Sequence, residues 1–168
     1  MKRGRDAAEL ERVYAEHLDA VYAFFAYSVD AATAEDLAAA TFERVIRAWK
    51  RYDASKAGER TWILSIARNL LTDHYRRGKH RQAVSLDEHA GLLDVVAVDD
   101  GDWEQRTLDQ AELRSWLAVL GEREREVVAL RYAGDLSAEE IATLLGLSAA
   151  NVHQIVSRTL RKLREANR

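Results

Sequence analysis

Two stretches of the chain concentrate the side chains able to do chemistry. Between Arg60 and Gln82, Arg68, Arg76, Arg77, Lys79 and Arg81 accompany His74 and His80, with Asp73 alone opposing them. A basic, aromatic-flanked helix end of this kind presses a rigid positive surface against a polyanion. A solvated helix end, where the dipole favours cations, accounts for the same pattern. The second stretch carries Ser148, Asn151, His153, Gln154, Ser157 and Arg158. Asn and Gln can pair bidentately with adenine, and Arg with guanine. Arg161, Lys162 and Arg164 follow as phosphate or partner contacts.

Catalytic chemistry finds no footing. The chain has no cysteine, and His17, His74, His80, His89 and His153 show no ligand spacing. No P-loop, nucleophile elbow or paired-carboxylate pattern is present. The run Asp100 to Glu104 imitates a calcium loop, but Gln105 stands where that loop needs Gly and Ala111 where it needs Glu. The chain therefore reads as a binding protein, not an enzyme, with no metal or cofactor expected.

The elements that must position these residues are helices. Proline is absent from 168 residues and 48% are apolar, with Ala, Leu, Glu and Arg abundant, so an all-α fold is expected. No run of about 18 apolar residues appears, so no membrane insertion is expected and the location is read as cytoplasmic. A first helix has Leu10, Val13, Tyr14, Leu18, Val21, Tyr22 and Phe25 inward. A second runs from about Ala34 to Tyr52, with Leu37, Thr41, Phe42, Val45, Ile46 and Trp49 inward. After a loop around Gly58, a third runs from Arg60 to about Gly78 and buries Trp62, Ile63, Ile66, Ala67, Leu70 and Leu71.

Past Val84 the helical period is lost. Residues 1–82 hold 15 Lys and Arg against 12 Asp and Glu, residues 83–112 hold 1 against 9, and residues 113–168 hold 9 against 7. The net charge of −3 thus hides two mildly basic modules around an acidic connector. Two small helical domains are expected, 8–82 and 108–168, joined by a flexible acidic linker at 83–107. In the second, helices end at Leu120 and Tyr132. Ser137 and Glu140 then form a capping box, Gly146 closes that helix, and Ser148 caps the last one, Ala149 to Ala166. Helix, short Gly turn, helix is helix-turn-helix spacing, with Ile141, Ala142, Leu145, Leu147, Val152, Ile155 and Val156 as its core.

At these residues the sequence resembles the extracytoplasmic-function (ECF) class of bacterial sigma-70-type sigma factors. AEDLAAATFERVIRAWKRYD and RTWILSIARNLLTDHYRR look like the family's polymerase-binding and promoter-melting helices. LGEREREVVALRYAGDLSAEEIATLLGLSAANVHQIVSRTLRKLR looks like its minus-35 module. The resemblance implies a dissociable promoter-specificity subunit whose partners are core RNA polymerase, promoter DNA and an anti-sigma factor. Asp36, Leu37, Thr41, Phe42, Arg44 and Trp49 fall on the polymerase-gripping positions, with core packing an equal reading of Phe42 and Trp49. Tyr52, Ser55 and Lys56 match the loop that captures a flipped minus-10 base. Arg68, Asn69, Asp73, Arg76 and Arg77 match positions facing the minus-10 strand. Arg131, Ser148, Asn151, His153, Gln154, Ser157, Arg158 and Arg161 match the minus-35 reader. The connector resembles the family's linker through the polymerase channels.

Three departures bear on this. Ala39-Ala40 replaces a frequent Gln-Glu, which implies weaker core binding. His153 and Ile155 stand where Lys or Arg is usual, implying an atypical promoter. Gly121 replaces the usual Pro before the helix. Two other readings compete: a sigma mimic that occupies an anti-sigma factor without binding promoters, and a regulator of the response-regulator type. The latter needs a receiver of alternating strands and helices, for which the first 82 residues offer no strand.

Overall fold

Asp30 fixes the first corner of the chain. Its Oδ1 accepts the Thr33 backbone N–H at 2.8 Å, which starts a helix at Ala31, three residues earlier than the sequence reading. That hydrogen bond also holds the Asp30 carboxyl below the usual carboxylate range. A computed structural model describes residues 2–85 and 111–168, all helices and turns. In order these are α1 (Lys2–Ala26), α2 (Ala31–Ala48), a 3-10 turn (Trp49–Arg51), α3 (Glu59–Ser85), α4 (111–117), α5 (Glu122–Val128), α6 (Ala138–Leu145) and α7 (Ala149–Ala166). No strand occurs among the described residues. The acidic connector lies outside them from residue 86 to 110.

The first three helices pack as the stripes require. Ala31, Ala34, Ala38, Thr41, Phe42 and Val45 form the buried face of α2, and its small residues let α1 and α3 approach closely. Ile46, read as inward, is 58% exposed, while its neighbour Val45 is buried. Phe24, omitted from the expected core, is fully buried beside Phe25, their rings edge-on at 5.4 Å. Glu59 opens α3 and ties it to α1: its carboxylate accepts from Arg12 at 2.8 Å and meets His17 Nε2 at 3.3 Å. Gly78 does not stop α3, which continues to Ser85.

The C-terminal helices are set by their ends. The Glu124 carboxylate accepts the Gly121 N–H at 3.1 Å and so caps α5. Arg125 donates to the Leu117 and Leu120 carbonyls at 3.4 and 3.2 Å, satisfying the end of α4. Beyond Val128 the helix widens into a π-turn, Ala129–Ala133, and Asp135 takes a left-handed φ of 52°. One buried apolar cluster runs from the N-terminal helices (Phe24, Phe25, Ile63, Leu64) into the C-terminal ones (Leu130, Leu136, Ile141). The two helical units therefore pack directly on one another.

Candidate nucleic-acid interface

The helix-turn-helix is built from local signals that the chain carries in full. Ser137 Oγ accepts the Glu140 N–H at 3.1 Å and the Glu140 carboxylate accepts the Ser137 N–H at 2.7 Å. Gly146 ends α6 in the left-handed region at φ 68°, where a Cβ is unfavourable. Ser148 Oγ then accepts the Asn151 N–H at 3.1 Å and starts α7. Val152, Ile155 and Thr159 are buried on α7, which leaves Asn151, His153, Gln154, Ser157, Arg158 and Arg161 exposed on the opposite side. His153, Gln154, Ser157, Arg158 and Arg161 line one open hollow of about 330 Å³. A helix presenting Asn, Gln and Arg on one outward face has the donor and acceptor set needed to read base edges. Arg131 sits apart: its guanidinium donates to the Leu136 carbonyl at 3.4 Å and lies 5.8 Å from the Tyr132 ring centre.

Glu124 anchors the outer half of this face. Lys162 Nζ donates to both its carboxylate oxygens at 2.9 Å, and Arg158 Nε lies 3.7 Å from one of them. The Lys162 hydrogen bond, followed by the Gly121 N–H, holds the Glu124 carboxyl below its usual range. Lys162, read from the sequence as a phosphate or partner contact, is thus the brace between α5 and α7. A pair 38 residues apart leaves no local signal in the sequence.

On α3, Asn69, Arg76 and Arg77 are exposed, and neither arginine has an ion-pair partner among the described residues. Arg68 Nε donates to Glu126 Oε1, and Lys79 lies 3.7 Å from Glu122. Asp73 faces Arg44 of α2 at 3.9 Å. The loop before α3 is ordered at both ends. Asp53 Oδ1 accepts from the Ser55 N–H at 2.9 Å and the Ser55 hydroxyl at 2.6 Å, which keeps its carboxyl below the usual range. The Tyr52 hydroxyl donates to the Ala57 carbonyl at 3.0 Å. Its ring stacks on Trp49 at 5.3 Å and meets Trp62 at 4.9 Å, leaving Ser55 and Lys56 outermost.

The residues read as polymerase-gripping divide by burial. Asp36 and Arg44 are exposed, and Leu37 and Trp49 are half-buried. Thr41 is fully buried with its hydroxyl donating to the Leu37 carbonyl at 2.7 Å, and Phe42 is buried edge-on to Tyr14 at 4.8 Å. As placed, these two support the surface from beneath. Ile46 and Tyr14 are the exposed apolar groups beside them. Glu16, His17 and Glu59 come together within 4.8 Å, a grouping their spacing does not reveal. Arg12 already supplies the cation there, reaching Glu16 and Glu59 at 2.8 Å each.

Comparisons with known proteins follow the same division. The sigma-70 region 2 family model matches residues 13–81 and the sigma-70 region 4 model matches residues 116–165. RNA polymerase sigma factor CarQ of Myxococcus xanthus is 35% identical over 170 residues, covering 98% of this chain and 94% of CarQ. ECF RNA polymerase sigma factor BldN of Streptomyces coelicolor is 30% identical over 94% of this chain, which spans 60% of BldN's length. Among solved structures, sigma factor RpoE of Bartonella quintana, in complex with the anti-sigma factor NepR, matches at TM-score 0.71 with 23% identity over 94% of this chain and 95% of that one. CnrH, in complex with the cytosolic domain of CnrY, matches at TM-score 0.66 with 22% identity, 94% of this chain and 86% of that one. The two structures speak for the fold. Likeness to CarQ along almost all of both sequences, with the region models on the two helical units in order, makes this chain a member of the ECF class of sigma-70-family RNA polymerase sigma factors.

Proposed function

We propose that the chain directs core RNA polymerase to promoters by reading two DNA elements, one with each helical unit. The polymerase performs the chemistry, and this chain, acting in the cytoplasm, supplies recognition and stabilises the melted strand. The observation that carries the reading is the outward face of α7. Asn151, Gln154 and Arg158 stand exposed on a helix whose start is fixed by Ser148, and so are held ready for the major groove of a minus-35 element. Arg161 continues that face as a phosphate contact, and Arg131, which sits apart from it, contacts the same element from outside the helix.

In the N-terminal unit, Arg76, Arg77 and Asn69 on α3 face the minus-10 strand, with Arg68 joining them when Glu126 withdraws. The loop bearing Tyr52, Ser55 and Lys56 receives an extruded base. Its aromatic trio supports that role, since a flipped base needs a waiting surface to offset the loss of stacking. Asp36, Leu37 and Arg44, with Ile46 beside them, form the polymerase contact, and Thr41 and Phe42 hold that contact from below. An anti-sigma factor is a partner by analogy with the complex that RpoE forms with NepR.

Run-off transcription with core polymerase on a randomised promoter library tests the reading. Discrete start sites that depend on the added chain support it. Polymerase that starts nowhere in its presence refutes it.

A further inference from the structure

Arg158 differs from its neighbours on the outward face of α7. Asn151, His153, Gln154, Ser157 and Arg161 have no side-chain partner among the described residues, whereas Arg158 Nε lies 3.7 Å from Glu124 Oε1. Glu124 in turn is fixed from two helices. It is the third residue of α5, and its Oε2 accepts the Gly121 N–H at 3.1 Å. Lys162 of α7 donates to both carboxylate oxygens at 2.9 Å, and only 12% of the Glu124 side chain is exposed. A carboxylate held from both sides in so enclosed a place has little freedom to turn. It is a fixed negative point beside a cation that is free to move.

The Arg158 side chain is 56% exposed, so without a partner it would spread over several rotamers. An ion pair this open adds little to stability. Its effect is on direction. With Nε turned toward Glu124, neither Nη has a partner among the described residues, and the side chain lines the open hollow with His153, Gln154, Ser157 and Arg161. The pair of Nη groups is a fork able to meet O6 and N7 of guanine together.

We propose that Glu124 is a positioning residue for base reading: it holds Arg158 with the Nη fork outward and so sets how sharply one upstream base pair is discriminated. The inference rests on reading α7 as the element that enters the major groove. Freezing a long side chain on binding costs affinity, and a side chain already held has less to lose. Only the base pair that Arg158 matches gains from this, because a mismatched pair makes no fork contact whether the guanidinium is held or free. Loss of the Glu124 charge should therefore lower discrimination at that pair roughly two- to tenfold, the ordering of one side chain expressed as a ratio.

The test uses the full-length chain with core polymerase. Arg158→Ala on the randomised library first locates the base pair. Run-off output is then read from a mixture of two promoters that differ only there. Their ratio cancels any loss of folded protein, since both templates draw on the same molecules. Glu124→Gln should lower that ratio roughly two- to tenfold and leave preferences elsewhere in the upstream block unchanged. Lys162→Met removes the shorter ion pair but spares the Glu124 charge, and should keep the parent ratio. In the Arg158→Ala background, Glu124→Gln should change nothing further, because the two residues act as one unit. An unchanged ratio in Glu124→Gln, an equal fall in Lys162→Met, a change spread over the whole upstream block, or a further fall in the double variant would each overturn the proposal. Arg158→Ala with the parent's preferences is a separate failure: it removes the α7 reading, and this inference with it.

Discussion

Replacing Glu124 by Gln isolates the charge that braces the recognition helix. Gln keeps an oxygen to accept the Gly121 N–H, so the cap on α5 survives. What disappears is the attraction to Lys162 and Arg158, whose side chains are 46% and 56% exposed. Solvent therefore screens both, and the Lys162 pair contributes about 0.5–1 kcal/mol with a smaller part from Arg158 at 3.7 Å. A total near 1 kcal/mol corresponds to a fall in Tm of ~2–4 °C for a chain of this size. Glu124→Ala also loses the cap acceptor, which adds about 0.5–1 kcal/mol. The pH dependence follows from the lowered Glu124 carboxyl. Because its folded value lies below the ordinary 4.5, the stabilisation is complete above that pH and is lost as pH falls through the folded value. Thermal unfolding of both proteins between about pH 7 and pH 3 measures this. Parent and Glu124→Gln curves should differ at neutral pH and converge in acid. A difference that is absent at neutral pH, or that persists undiminished in acid, refutes the brace.

Other substitutions separate the remaining roles. Arg158→Ala should lose about 1–3 kcal/mol of discrimination at one upstream base pair, measured by competition between promoter variants. Arg76→Ala and Arg77→Ala should weaken binding whatever the sequence and lower the salt slope by about 1 unit for each phosphate contact removed. Gly146→Ala forces a Cβ into the left-handed turn at φ 68° and should destabilise the chain, as read by chemical unfolding, by ~1 kcal/mol. Ile46→Asp should leave Tm unchanged, since the side chain is 58% exposed, yet reduce binding to core polymerase in a pull-down titration.

What could be read from the sequence was whatever a few neighbouring residues decide. The Ser137–Glu140 box, the left-handed Gly146 and the Ser148 cap each act within one turn, and all three stand where the residue types required. The stripe on α3 was legible for the same reason, because Ile63, Ala67, Leu70 and Leu71 repeat at the helical period. Legibility ended where the partner lies far along the chain. Leu64 is buried in a cluster that reaches Leu130, Leu136 and Ile141, and Lys162, though exposed, is tied to Glu124, and none of these partners is a neighbour in sequence. Adjacent apolar residues were a second source of error. Val45 is buried and Ile46 is 58% exposed, and the period alone did not choose between them, since adjacent pairs such as Phe24 and Phe25 are buried together elsewhere. The helix expected from Ala34 starts at Ala31 because the Asp30 side chain accepts the Thr33 N–H.

The measurement nearest the centre of the account is promoter selection by three proteins side by side: the parent chain, Arg158→Ala and Arg76→Ala, each with core polymerase on the randomised library. The account predicts two separate preferred sequence blocks for the parent, a change confined to the upstream block for Arg158→Ala, and weaker output with unchanged preference for Arg76→Ala. Identical preferences in the parent and Arg158→Ala would contradict it, because α7 would then not be the element that reads the upstream DNA.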